Sequence, residues 1–211
     1  MRCRPGIFAA NFRASILLFI KKSHFFDFNQ AFVNLLHYKQ KPVMKQSILQ
    51  TLDETTEGLL QTISSFTPEN FNKIPFENSW TAAQVADHIL KSEIGMPQLL
   101  QSRTVVTERE PDAMVQQIKD VFLDYSTKMK APDFLIPTND PQHKNDMYAK
   151  IETERKAVKP VIEAIDLTLS YPDFPFPGGF GVLTGLEWVT FMNCHSKRHT
   201  HQMQVILEKL A

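Results

Sequence analysis

From about residue 44 to the end of the chain, apolar positions recur at helical spacing. Between Met44 and Ser65, the residues Ile48, Leu52, Leu59 and Ile63 share one helix face. Thr67-Pro68 ends that helix, because proline disfavours helical backbone in the residue before it. A loop is expected through Pro75. A second helix is expected from about Thr81, where Thr81 and Gln84 form a capping box that satisfies two backbone N–H groups. Val85, His88, Ile89, Ile94 and Leu99 continue its pattern, and Pro97 should kink or end it. Asp112–Met129 reads as a weaker helix, with Val115, Ile118, Val121, Phe122 and Tyr125. Ala131–Asp146 holds Pro132, Pro137 and Pro141 and reads as an irregular loop. Asp146–Leu169 is the next helix, with Ile151, Val158, Ile162, Ile165 and Leu169 on one side and a bend expected at Pro160. Tyr171–Gly181 is a connector rich in proline and glycine. A second capping box, Thr184 with Glu187, opens a last helix that runs to about Leu210, roughly 40 Å at 1.5 Å per residue. No strand pattern competes and no repeat is visible. The expected fold is all-α, an antiparallel four-helix bundle.

Composition narrows the function classes. The 211 residues are 43% apolar and 22% charged, as in one globular domain of ordinary size. Lys+Arg and Asp+Glu are both 23, so no basic excess points to nucleic acid. That balance hides a split. Residues 1–43 hold seven basic residues (Arg2, Arg4, Arg13, Lys21, Lys22, Lys39, Lys41) against Asp27 alone, and seven of the 16 Phe. Arg2 and Arg4 before Gly6–Ile20 faintly resemble a signal peptide. Arg13 interrupts the apolar run, Lys21-Lys22 follow it, and no small-residue cleavage site is near. The uninterrupted stretch Ala14–Ile20 is far short of the about 20 residues a membrane span needs. A membrane-surface helix is the lesser reading. Residues 1–43 read as an extension outside the domain at 44–211, with Met44 as the natural start. Cys3 and Cys194 form no CxxC and no disulfide framework, so a reduced, cytoplasmic protein is expected.

The last helix carries the chemical signal. Its inward stripe reads Leu186, Val189, Met192, His195, His199, Met203, Ile206, Leu210. Two imidazoles in line with core residues need hydrogen-bond partners or a metal. His195 and His199 are four residues apart, so their rings lie one turn apart on one face and could share an ion. Ser196-Lys197-Arg198 lies between them, without the glutamate of HExxH, which excludes that protease chemistry. A hydrogen-bonded interior pair is the alternative. His88, on the edge of the Val85–Ile89 stripe, is the best third ligand; a boundary histidine bonded to a carbonyl is its alternative. His24 and His37 fall in the extension, His143 in the proline-rich loop, and His201 on the opposite face from His199.

Three segments resemble the DinB/YfiT-like superfamily. Ser79-Trp80-Thr81-Ala82-Ala83-Gln84-Val85-Ala86-Asp87-His88 is similar to its first metal-site segment. Phe180-Gly181-Val182-Leu183-Thr184-Gly185-Leu186-Glu187-Trp188 is similar to its entry to the last helix. His195-Ser196-Lys197-Arg198-His199-Thr200-His201-Gln202 is similar to its closing motif. The resemblance covers about residues 44–211. It implies a four-helix bundle with one divalent ion held by His88, His195 and His199, and often a homodimer. Some branches transfer or isomerise with a thiol such as bacillithiol, mycothiol or glutathione, and others are described as metal-dependent hydrolases. The resemblance implies no DNA binding.

Three neutral imidazoles would leave a divalent ion one open position, as in catalytic zinc sites. Imidazole-only ligation suits Zn, Ni, Fe or Cu, with Zn or Ni favoured, and argues against Mg or Ca. Bound water or a bound thiol would be deprotonated near neutral pH, so one site could serve hydrolysis or S-transfer on a small-molecule substrate. The competing reading is a non-catalytic bundle, dimeric, whose histidines bind metal structurally or merely hydrogen-bond. Arg198 and Lys197 are candidates for an anionic substrate, weighed against an exposed helix face, which is the favoured reading, and Gln202 is a candidate for a supporting role. Glu152 and Glu154 are candidates to orient a histidine, weighed against solvated helix charges. Cys194 points about 100° from His195 and reads as a packed small hydrophobe. Trp80 and Trp188 read as bundle-end packing. Gly178-Gly179-Phe180-Gly181 lacks the strand and lysine of a phosphate loop, and no GxSxG is present.

Overall fold

The computed structural model describes residues 43–211. The chain divides into two units, Met1–Met44 and Lys45–Ala211, and the second carries all that follows except the first two residues of the first helix. The reading of 1–43 as an extension falls, but for its last residue, outside the described residues.

Helix α1 covers 43–64 and buries Leu52, Leu59 and Ile63. The loop expected next contains one helical turn, α2 (Pro68–Phe71). Thr67 Oγ1 accepts from the Asn70 N–H, and Pro68 stands in the first turn, where an N–H has no helical acceptor anyway. Helix α3 (Ala82–Glu93) opens on Thr81, with both halves of the capping box formed. Pro97 does not kink it. The chain turns at Gly95, whose φ of 85° suits glycine, and α4 (Met96–Leu100) begins afresh with Pro97 in its first turn. Helix α5 (Val115–Phe122) is shorter than its apolar pattern suggests. Beyond it the Asp124 carboxylate accepts from Ser126 N, Ser126 Oγ and Thr127 Oγ1, a local turn that competes with further helix. The proline-rich loop contains a 3₁₀ turn, Asp133–Leu135. Helix α6 (Lys144–Ala164) accommodates Pro160. It stops before Leu169, where Asp166 accepts from Thr168 N and Oγ1.

The connector is a β-hairpin, which the helical reading missed. Strands β1 (Ser170–Phe176) and β2 (Gly181–Thr184) pair antiparallel, with Phe176 opposite Gly181 and Ser170 opposite Thr184. Val105 bridges Ser170 on the other side. Pro172 and Pro175 cannot donate to a ladder and belong on an edge or at an irregularity, so they masked the strand. Gly178, Gly179 and Gly181 supply the positive φ of the turn.

Helix α7 (Gly185–Leu210) opens on the Thr184–Glu187 capping box, again complete. Its stripe is buried as expected from Leu186 to Ile206. Its first half goes further: every residue from Gly185 to Ser196 is buried. α5 and the hairpin lie against it, covering the face that would otherwise meet water. A Cβ on Gly185 would come within 3.2 Å of the Leu167 backbone, so the entry to α7 admits only glycine without a shift. The four long helices α1, α3, α6 and α7 make a four-helix bundle around Leu59, Ile63, Ile89, Ile151, Met203 and Ile206. Among the described residues no helix is long and apolar enough to cross a membrane.

Candidate metal centre

α3 and α7 bring the three histidines together. His195 and His199 project from one face of α7, one turn apart, and His88 meets them from α3. His195 Nε2 lies 3.0 Å from His199 Nε2 and 3.2 Å from His88 Nε2. All three rings are buried. No other histidine, cysteine or carboxylate among the described residues joins this cluster.

The partner on the far side of each ring assigns its tautomer. His88 Nδ1 is 2.8 Å from Leu135 O, a group that can only accept, so Nδ1 carries the proton. His199 Nδ1 is 2.8 Å from Gln202 Oε1, with the same consequence. Ser92 Oγ gives its proton to Ile89 O at 2.7 Å and therefore accepts from His195 Nδ1 at 3.3 Å. Burial lowers all three pKa values: His199 to about 3, His195 well below the ordinary value through burial and its two neighbours, and His88 less far. Three neutral rings with their protons on Nδ1 turn three Nε2 lone pairs toward one point. In these tautomers no proton lies between them, and the arrangement is then repulsive without a cation. Ligand nitrogens 2.0–2.1 Å from a tetrahedral zinc sit about 3.3 Å apart, close to the separations found here. The donor set and its spacing fit a divalent ion.

The loop before α6 holds His88 in place. Gln84 Nε2 donates to Asn139 Oδ1, Asp87 accepts from Thr138 N at 2.8 Å, and Lys91 donates to Ile136 O at 2.9 Å. These residues and His88 share one face of α3, so the irregular loop is a strap that delivers the Leu135 carbonyl. Trp80 packs on His88 at 5.2 Å between ring centres. On the other side, Phe122 and Phe191 flank His195 at 6.0 and 5.2 Å and continue into Phe176, Phe180 and Trp188. Trp188 thus packs in an aromatic wall leading to the centre.

The other candidate residues lie elsewhere. Gln202 is at the site, on His199. Arg198 is turned to the loop after α5, where it donates to Asp124 O at 2.7 Å and to Thr127 O. His201 stacks on Tyr125 on the outer face. Glu154 is half-buried on α6, and no ring nitrogen of the three histidines bonds it. His143 is an exposed residue at the N-terminus of α6. Cys194 is buried, which raises its thiol pKa.

Three features escaped the sequence reading. Ser92 is one: it lies four residues after His88, so their shared face was legible. The second is the buried pair Arg155–Glu93, two charges standing in otherwise apolar stripes. The third is the further role of Glu187: besides capping α7 as expected, it accepts two bonds from Arg109, both at 2.6 Å, and one from Met114 N at 2.8 Å. A groove of about 680 Å³ between α1 and α6, lined by Leu52, Leu60, Tyr148, Arg155 and Lys159, does not include the histidines.

A helical bundle closing three histidines from two helices on one point defines a class, and the sequence match agrees. The chain belongs to the DinB superfamily, whose pattern it matches over residues 51–203. It is 28% identical over 152 residues to YuaE of Bacillus subtilis (strain 168), described as uncharacterized; the match spans 70% of this chain and 90% of YuaE. Its fold is similar to that of YfiT from Bacillus subtilis, with a TM-score of 0.53 and 13% identity over 79% of this chain and 87% of YfiT. YfiT is described as a probable metal-dependent hydrolase with an unusual four-helix bundle topology.

Proposed function

We propose that this protein is a metal-dependent enzyme acting on a small molecule, with His88, His195 and His199 holding one divalent ion. The observation that carries this is the convergence of three Nε2 atoms, those of His88 and His199 both within hydrogen-bond distance of His195 Nε2. The donor set favours Zn or Ni. Three ligands leave a position open, whereas structural zinc sites are closed by four, so catalysis is favoured over a purely structural role. The hydrolase description of YfiT supports the same direction.

A divalent ion bound here supplies Lewis acidity, which lowers the pKa of a coordinated water or small thiol toward neutrality. The chain's own residues do the rest. Leu135 O, Ser92 Oγ and Gln202 Oε1 orient the rings and keep Nε2 free. Phe122, Phe191 and Trp80 exclude water around them and strengthen polar interactions inside. We propose hydrolysis, or S-transfer from a thiol such as bacillithiol, as the two reactions this site can serve, in a cytoplasmic homodimer.

Elemental analysis of the full chain beside His88→Ala and His199→Ala tests the centre. About one equivalent of zinc or nickel, lost in both variants, is the expected result. No metal in the reconstituted wild type, with the variants still folded, would overturn the enzyme reading. Conjugation of a generic electrophile by the loaded protein, with and without bacillithiol, then separates transfer from hydrolysis.

A further inference from the structure

Arg155 is 2% exposed and stands in the apolar stripe of α6 between Ile151 and Val158. Its guanidinium forks onto Glu93 at the end of α3: Nε donates to Oε2 at 2.7 Å and Nη2 to Oε1 at 2.5 Å. Nη1 reaches α1, at 3.2 Å from Thr55 Oγ1 and 3.4 Å from Thr56 Oγ1. Thr55 Oγ1 in turn lies 3.2 Å from Asn193 Oδ1 of α7 and 3.0 Å from Leu52 O of its own helix, the two acceptors sharing its one proton. One guanidinium therefore ties α6 to α3 and α1 directly, and to α7 through a hydroxyl. This tie lies beside the histidines on both helices that carry them. Glu93 directly follows Ser92, the acceptor for His195, and Asn193 precedes His195 by two residues.

The pair is a poor source of stability. Buried ion pairs lose much of their attraction to desolvation, and apolar residues of similar volume often fold as well or better. A planar fork offers what leucines do not: a fixed distance and orientation between the helices it joins. The centre needs that, because α3 alone brings His88 to the α7 pair, and a slip of about 1 Å undoes a ligand site. We infer that Arg155, acting through Glu93, is a positioning residue that sets the α3–α7 register at which His88 meets His195 and His199. This rests on the reading of those histidines as a metal centre.

The test uses the full chain with the double variant Glu93→Leu/Arg155→Leu, which leaves no orphaned charge, and with Arg155→Lys, which keeps the charge and loses the fork. Zinc affinity is measured by chelator competition, thermal stability alongside it, and crystal structures are solved without metal. The double variant should keep its melting temperature and bind zinc at least about tenfold more weakly. Its His88 Nε2 should move away from His195 by about 1 Å or more. Arg155→Lys should fall between the two. Zinc binding within twofold of wild type, with the three nitrogens still together, would overturn the inference. If the double variant fails to fold, Arg155→Lys decides on the same two readouts. A wild type that binds no zinc would sink the enzyme reading, while the metal-free separations would still judge the positioning role.

Discussion

Each ring of the centre gives its Nδ1 proton to a different kind of acceptor: a backbone carbonyl, a hydroxyl and an amide oxygen. The carbonyl cannot be removed by substitution, but the other two can. Gln202→Leu frees the His199 ring to rotate or to change tautomer, and Ser92→Ala does the same to His195. Loss of such partners typically costs 10–100-fold in metal affinity. Each variant should therefore show zinc affinity about 10–100-fold weaker by chelator competition, with the melting temperature of the metal-free protein little changed. Full affinity in both would mean that packing alone, through Phe122 and Phe191, holds the rings.

At the scale of elements, Glu187 joins three pieces of structure. One carboxylate, fully buried, closes the α7 capping box at Thr184 N, receives Arg109 and holds Met114 N at the entry to α5. Glu187→Ala removes the cap and leaves a partly buried cation without its partner. A loss of about 3 kcal/mol is expected, read from urea unfolding, because breaking one side of a buried pair strands the other. The capping boxes themselves were legible, since Thr81 with Gln84 and Thr184 with Glu187 act within four residues. The β-hairpin was not, because its signal lies in pairing across the turn while Pro172 and Pro175 argue locally against a strand. Pro97 shows the same limit: whether proline breaks a helix or begins one depended on Gly95 before it.

The whole molecule adds what no local pattern carries. The α7 stripe announced His195 and His199, and the edge of the Val85–Ile89 stripe offered His88, which the resemblance of three segments then joined to them. Arg155 and Glu93 stood in apolar stripes too, at the spacing of Ile151 and Ile89, yet charged residues on helices are usually solvated. Their pairing is a fact of how four helices meet. Protons should report the assembly as well. An unfolded histidine titrates near pH 6.5, whereas these three are lowered in the fold, His199 to about 3. Below about pH 6.5 the unfolded chain takes up protons that the folded one refuses, so metal-free stability falls as pH falls. Above it these rings contribute no slope. Each ring contributes at most about 1.4 kcal/mol per pH unit in that window. Urea unfolding of metal-free wild type between pH 7 and 5 should show the decline, and His199→Leu should flatten it.

The tautomers have a further consequence for heat. Metal sites generally eject protons as they fill, and the buffer that takes them up adds its own enthalpy of ionisation. Here the three nitrogens proposed to coordinate carry no proton in the tautomers their partners assign. Titration calorimetry of zinc into the metal-free protein at about pH 6, below the range in which a zinc-bound water ionises, should therefore give one binding enthalpy in buffers of widely different ionisation heat, once the buffers' own affinity for zinc is subtracted. A dependence on buffer would reveal a proton held between the rings.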